Sequence, residues 1–148
     1  MIRPAQSHDA EALHALLIDT IVGTHPANAD WIRDRLTSPS SIIIVDEEQG
    51  ELLGAVVGTV VLDEAEIHDV AVHPRARRQG RADRLVSAFE QSVIEMGART
   101  TFLEVRTTNE PAKKLYVKAG FFSQQRRLRY YPDGEDALIF RKDLKAKS

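Results

Sequence analysis

The sequence predicts a mixed α/β (α+β) fold: a mostly antiparallel central sheet flanked by helices on both faces. Three observations carry this. Segments with helical and with strand periodicity follow one another in the order α-α-β-β-β-α-β-α-β-β. The three consecutive strand-like runs are separated by short turns, which makes them antiparallel. At 148 residues and 43% hydrophobic content, the chain has the size of one ordinary domain, residues 1–148, able to bury a core without staples.

Each element has a local cause. Ala12, Leu13, Leu16, Leu17 and Ile21 recur at helical spacing between Asp9 and about Val22, with Ser7 or Asp9 available as an N-cap. A shorter helix is expected after Asn28, through Trp31, Ile32 and Leu36, ending near Ser38-Pro39, where proline opposes continuation. Ile42–Val45 and Leu52–Leu62 read as strands joined through Glu47-Glu48-Gln49-Gly50. A tight turn at Asp63-Glu64 leads into a third strand ending at Val72. Ala82, Leu85, Val86, Phe89 and Val93 then mark a core-facing helix that Gly97 can cap. Phe102–Val105 forms a strand, and Asn109-Glu110-Pro111 opens a helix whose stripe is Ala112, Leu115, Tyr116 and Ala119, with Gly120 as its stop. Two last strands, around Phe121–Tyr131 and Ala137–Arg141, flank the turn Pro132-Asp133-Gly134.

Composition excludes several classes of function. The chain has no cysteine, which removes disulfides, thiolate metal sites and an acyl-cysteine intermediate. A net charge of −2 argues against nucleic acid as the main partner, because backbone phosphate binding relies on a broad positive surface. No apolar run approaches the ~18 residues of a membrane span, and Met1–Gln6 leads directly into a helical pattern, so a cytoplasmic protein with no membrane partner is expected. His68 with Glu64 and Glu66 imitates a metal cluster, but one imidazole is too few, and no metal is expected.

Against that acidic background, Arg75-Ala76-Arg77-Arg78-Gln79-Gly80-Arg81 stands out. Five arginines lie between residues 75 and 84, with Asp83 as the only acid. A strand ending at Pro74 and a helix opening after Gly80 leave backbone N–H groups converging on one spot, where the helix dipole favours an anion. Gly80 lets the backbone approach and Ala82 keeps the helix start slim, while Arg77, Arg78 and Arg81 add charge. The plain alternative is a surface loop of solvated arginines. Asp83 fits beside an anion only if its side chain turns away and its N–H alone contributes. Downstream, Glu104 stands among Phe102, Leu103 and Val105, where an unpaired carboxylate is expensive. It either has a chemical task or pairs with Arg106 or another arginine. Asn109 is a natural N-cap and Tyr116 a natural core tyrosine.

The run Arg77-x-x-Gly80-x-Ala82, followed in order by Glu104-Val-Arg-x-x-Asn109-x-x-Ala112-x-x-Leu115-Tyr116-x-x-x-Gly120-Phe121, resembles the GNAT superfamily of N-acetyltransferases. Val61-Leu62-Asp63-Glu64-Ala65, Phe102–Arg106, Arg129-Tyr130-Tyr131-Pro132 and Gly134-Glu135-Asp136-Ala137 narrow the resemblance to the RimI, or ribosomal-protein-alanine, type over about Val57 to Leu144. His25–Trp31 stands where that type has a Pro-Trp-Ser-like element bordering the acceptor.

The resemblance implies the acyl-CoA N-acyltransferase fold and acetyl-CoA as co-substrate. It implies a diphosphate held by Arg77, Arg78, Gln79, Gly80, Arg81, Ala82 and Asp83, and a pantetheine arm paired with the backbone of Val70, Ala71 and Val72. It also implies Asn109 beside the cofactor, Glu104 as general base and Tyr116 as general acid, with Asp69 in reserve as the base. The implied partner is an amine acceptor, and the implied state is a monomer or homodimer. A phenol of reference pKa about 10 stays protonated at pH 7 and can protonate a thiolate whose own value is about 8.5.

Three readings stay open: acetylation of a protein N-terminus; acetylation of a small amine, amino acid or lysine; and a non-catalytic acyl-CoA-binding module. An α-amine of pKa about 7.7–8.0 is roughly 10–15% neutral at pH 7, against about 0.04% for a lysine, so one carboxylate base suits the N-terminus better.

Overall fold

In a computed structural model, residues 1–18 and 29–145 are described. Strands β1 (Ile2–Pro4), β2 (Ser41–Glu48), β3 (Glu51–Val61), β4 (Glu64–Val72), β5 (Thr100–Arg106), β6 (Phe122–Arg127) and β7 (Ala137–Asp143) form one sheet in the order β1-β2-β3-β4-β5-β7-β6. Only β4 and β5 pair in parallel; the other neighbours are antiparallel. Helices α1 (Ala10–Ile18), α2 (Asp30–Thr37), α3 (Arg81–Glu95) and α4 (Glu110–Lys118), with short 3-10 turns at Ser7–Asp9 and Pro74–Ala76, complete the described elements.

Both faces of the sheet are covered, as the helical stripes require. Leu85, Val86, Phe89 and Val93 of α3 and Tyr116 of α4 bury against Ile44, Val56, Ile67, Leu103 and Phe140. On the opposite face, Leu13, Leu16 and Leu17 of α1 and Ile32 of α2 pack on Ile43, Val45, Ala55, Val57 and Ala71. These two helices lie chiefly on β2, β3 and β4. The same face of β5 and β6 is left more open: Phe102, Glu104 and Arg106 are half-buried and every β6 residue is exposed.

The structure corrects several expectations. β1 is too short to show a period and exists because it pairs with β2, with Pro4 at the sheet's edge. Asp9 ends a 3-10 turn (Ser7–Asp9), its carboxylate accepting from the Gln6 N–H at 2.7 Å, and the α-helix opens only at Ala10. The second hairpin turns at Leu62-Asp63, with Leu62 at φ 56°, so that Glu64 already pairs with Val61. Ile21 and Val22 of the expected first helix, and His25–Asn28, lie outside the described residues.

The C-terminal stops of α3 and α4 follow the glycine rule. After α4, the Gly120 N–H donates to the Val117 carbonyl and the Phe121 N–H to that of Tyr116, at 3.0 and 2.9 Å, with Gly120 at φ 99°. This clasp sets the Phe121 ring edge-on against Tyr116, centroids 5.6 Å apart, and so fixes where the tyrosine stands.

A bulge between β3 and β4 changes which side chains share a face. Val57 pairs with Asp69 but Gly58 pairs with Ile67, so His68 is an extra residue in β4. Alternation counted from Ala65 and Ile67, both in the α3-side core, would send Asp69 into that core too. The added residue reverses the parity, and Asp69 shares the α2-side face with Val57 and Ala71.

Candidate active site

β4 and β5 pair only from Glu64–Ile67 to Thr100–Leu103 and then diverge. Beyond that point β4 pairs with β3 alone, leaving the backbone edge of residues 68–72 open toward the gap. Two cavities occupy the gap, of about 450 and 290 Å³, and both are walled by Val70, Asn109, Ala112 and Tyr116. They form two lobes of one cleft, meeting at α4.

The larger lobe is bounded by Val70–Val72 and by the arginine loop from Arg77 to the start of α3. Gly80 is the N-cap residue of α3 at φ 73°, and no side chain caps the helix. The first intrahelical donor is Arg84, to the Gly80 carbonyl at 3.1 Å, so the N–H groups of Arg81, Ala82 and Asp83 face outward unpaired, the arrangement that binds anions. Arg78, itself left-handed at φ 64°, is exposed beside them. Arg77 donates from Nε to the Val72 carbonyl at 3.2 Å, tying the loop to the strand edge, and the Gln79 side chain accepts from Arg81 Nε at 3.0 Å.

Two side chains differ from the plain picture of a basic loop. The Arg81 guanidinium is not offered to an anion: it turns inward to Asp46 at 2.8 Å and Glu48 at 3.0 Å, and only its backbone N–H remains for the loop. Asp83 turns away as its charge requires, pairing with Lys118 of α4 at 3.0 Å. Asn109 caps α4, its Oδ1 accepting from the Ala112 N–H at 3.2 Å, while also lining both lobes.

The smaller lobe gathers carboxylates. Glu66, Asp69 and Glu104 line it, with His68, Arg106 and Tyr131. Glu104 is not embedded in the apolar core that its neighbours suggested. Strand alternation buries Thr101, Leu103 and Val105 and turns Glu104 to the other, half-open face. Nor does it pair with Arg106, whose Nη1 binds Asp133 at 2.8 Å and Glu135 at 3.0 Å. Instead the Tyr130 hydroxyl interacts with the Glu104 carboxylate, which holds that phenol above its ordinary value.

Tyr116 is 7% exposed. Burial, with the nearby charge of Asp69, raises its phenol well above 10, and among the described residues its hydroxyl has no hydrogen-bond partner. Burial also lowers the imidazole of His68.

Glu66, Tyr131 and Arg106, which the sequence offered only as part of an imitation metal cluster, part of a motif and an alternative partner for Glu104, join this lobe. They come from two strands and the β6–β7 connection, with no local spacing to link them. That connection is pinned by Glu135, which takes the Thr108 hydroxyl and N–H and the Arg106 guanidinium; these bonds hold its carboxyl at about 2. The Tyr131 ring lies 4.0 Å from the Arg106 guanidinium. Among the described residues no trio of His, Cys, Asp or Glu could hold a metal ion, and no helix is long and apolar enough to cross a membrane.

An open strand edge beside a helix N-terminus, with a carboxylate lobe behind it, invites comparison with known proteins. The model of the acetyltransferase (GNAT) family matches residues 10–121. The chain belongs to the GNAT acetyltransferase family. As a GNAT protein it is an N-acetyltransferase, with acetyl-CoA the donor that family uses.

The narrower resemblance to the RimI type is also borne out. The chain is 35% identical over 128 residues to a candidate ribosomal protein bS18-alanine N-acetyltransferase of Bacillus subtilis, covering 85% of each. The crystal structure of the ribosomal-protein-S18-alanine N-acetyltransferase from Escherichia coli superposes with a TM-score of 0.85 at 26% identity, over 100% of this chain and 96% of that one. Ard1 from Thermoplasma volcanium gives 0.88 at 27% identity, over 98% and 97%.

Proposed function

We propose that this GNAT enzyme moves the acetyl group of acetyl-CoA to the α-amino group of a protein N-terminus, with an alanine-headed ribosomal protein as the acceptor type. The single observation that carries this is the two-lobed cleft: an anion socket and a carboxylate pocket meet at Tyr116. In this reading the N–H groups of Arg81, Ala82 and Asp83, with Gln79 and Gly80 shaping the loop and Arg77 and Arg78 beside it, hold the diphosphate. The pantetheine arm pairs along Val70–Val72 as an added strand would, and Asn109 borders it. Backbone N–H groups near Ala71 and Val72 polarise the thioester oxygen.

With no cysteine in the chain, the acceptor nitrogen attacks the thioester carbon directly, and much of the acceleration comes from holding both reactants in line. A C–N bond forms, the C–S bond breaks, Glu104 takes a proton from the nitrogen, and the Tyr116 hydroxyl donates one to the departing thiolate. The raised phenol is fully protonated at neutral pH and gives up its proton only as charge builds on the departing sulfur. Three carboxylates lining the acceptor lobe suit an amine that arrives largely as a cation.

The test is coenzyme A thiol release with a peptide carrying an alanine-headed small-subunit ribosomal N-terminus, beside spermidine, free amino acids and an Nα-blocked lysine. The peptide should give the highest kcat/KM. A higher value for a small amine moves the acceptor reading to that amine, and no release with any of them leaves a binding module.

The loop supplies a second expected result, a pair of contrasting variants. Arg78→Ala should weaken coenzyme A binding on the order of tenfold and leave Tm unchanged, since the side chain is exposed and its only task is charge. Arg81→Ala should do the opposite. It leaves Asp46, a 3%-exposed carboxylate, with only the Met1 ammonium at 3.2 Å, and lowers Tm more than it weakens binding. Calorimetric titration and thermal unfolding on both variants check this.

A further inference from the structure

Packing gives no reason for a carboxylate at position 69. The His68 bulge turns Asp69 out of the α3-side core and into the acceptor lobe, where it faces Tyr116 across the junction of the two cavities. Among the described residues its carboxylate has neither a hydrogen bond nor an ion pair. The charged and titratable groups around it come from every side of the lobe. Arg35 of α2 acts on it through charge, and it acts in turn on Tyr116 of α4; Glu104 and Arg106 project from β5, and Glu66 and His68 from its own strand. Tyr131 closes the lobe, while α1 turns Leu13 and Leu17 to the sheet and Val57 stands opposite on β3. Desolvation pushes the Asp69 carboxyl up to about 7, with Arg35 opposing.

We propose that Asp69 is a further catalytic residue that takes the first proton from the acceptor ammonium and passes it to Tyr116, so that one carboxylate feeds the leaving group while Glu104 serves the forming amide. This rests on the acetyl-transfer reading above. R–NH3⁺ and the Asp69 carboxylate give R–NH2 and the Asp69 acid. The nitrogen lone pair then forms the C–N bond, and Glu104 takes the second proton and releases it to water. As the C–S bond breaks, the Tyr116 phenol protonates the thiolate, and the Asp69 acid returns a proton to the phenolate. Two protons leave the nitrogen: one ends on the coenzyme A thiol and the other in solvent. The Asp69 carboxylate, whose acid lies at about 7, takes a proton from an α-ammonium of about 7.7–8.0 against only a small uphill difference, which C–N bond formation pulls forward, and the resulting acid gives readily to a phenolate of far higher basicity.

The test is Asp69→Asn, isosteric and unable to titrate, assayed for thiol release from pH 6.5 to 9. The acceptors are an alanine-headed peptide and the same peptide headed by an aminooxyacetyl group, whose nitrogen is unprotonated at pH 7. At pH 7 the variant should lose on the order of 100-fold in kcat/KM with the alanine peptide. The loss should shrink toward pH 9, where the amine is already neutral, and be smaller with the aminooxy peptide throughout.

Thermal unfolding tests whether the variant folds and whether Asp69 sits in the site as described. A carboxyl raised in the folded state costs stability as pH rises from its unfolded value, about 3.9, to about 7. Asp69→Asn should therefore match the unaltered protein in Tm near pH 4 and exceed it at pH 8. A loss of activity equal at every pH, equal losses on both peptides, or no loss overturns the relay. Failure of the parent reading looks different: the unaltered protein then releases no thiol with either peptide, and the relay falls with it.

Discussion

Glu104→Gln should lower kcat by on the order of 10²–10⁴ while leaving coenzyme A binding intact. The amide keeps the size of the side chain and its place on the half-open face of β5, and it removes only the ability to take a proton. No ion pair involving Glu104 is broken, since Arg106 is held by Asp133 and Glu135, so the fold has little to lose. Tyr116→Phe is the partner experiment. The ring keeps its edge-on contact with Phe121, and the missing hydroxyl has no protein partner among the described residues, so Tm should hardly change while turnover falls. Because burial and Asp69 raise the phenol well above 10, its deprotonation should add no alkaline limb to the unaltered enzyme's profile below about pH 10. Steady-state kinetics beside calorimetric titration with coenzyme A separate the outcomes. Full turnover in Glu104→Gln would remove it as the base.

Phe89→Ala should cost about 3–5 kcal/mol of stability, among the larger effects expected of a single core residue. Phe89 is fully buried at the centre of the α3-side cluster, and its ring fills the space above Gly58. A Cβ at position 58 would lie 2.5 Å from Phe89 Cε2 and 2.3 Å from the Glu66 carbonyl, so glycine is required where β3 faces the bulged segment of β4. Truncating the ring therefore leaves a cavity under the feature that orients Asp69. Thermal unfolding should show Tm falling by about 10–15 °C. Gly58→Ala should destabilise by the opposite route, overpacking, at about 1–3 kcal/mol. A drop in Tm below about 3 °C for Phe89→Ala would mean that the site collapses around the loss, and that the ring does not hold the bulge.

Much of the architecture was legible because it rests on local chemistry. Helical stripes such as Leu85-Val86-Phe89-Val93, the stops at Gly97 and Gly120, the Pro111 start and the strand runs all express constraints acting within a few residues. So does the open start of α3, because a helix that begins after a glycine with no side-chain cap leaves its first N–H groups unpaired. The ordered motifs also pointed to the acetyltransferase family, because they span the loop, the β5 strand and the α4 helix in sequence.

Other features were decided only by contacts between distant segments. β1 is defined by pairing with a strand about forty residues away. Arg81 reads as a phosphate ligand until Asp46 and Glu48, on a strand far off in sequence, turn its guanidinium inward. The facing of Asp69 depends on one added residue in β4, and a bulge leaves no mark in a period-2 pattern, since any parity can be continued after it. The smaller lobe assembles Glu66, Asp69, Glu104 and Tyr131 from β4, β5 and the β6–β7 connection. Residue types and spacing thus settled which chemistry the chain carries. Long-range pairing and strand parity settled which side chains face one another, because only the folded sheet assigns each to a face.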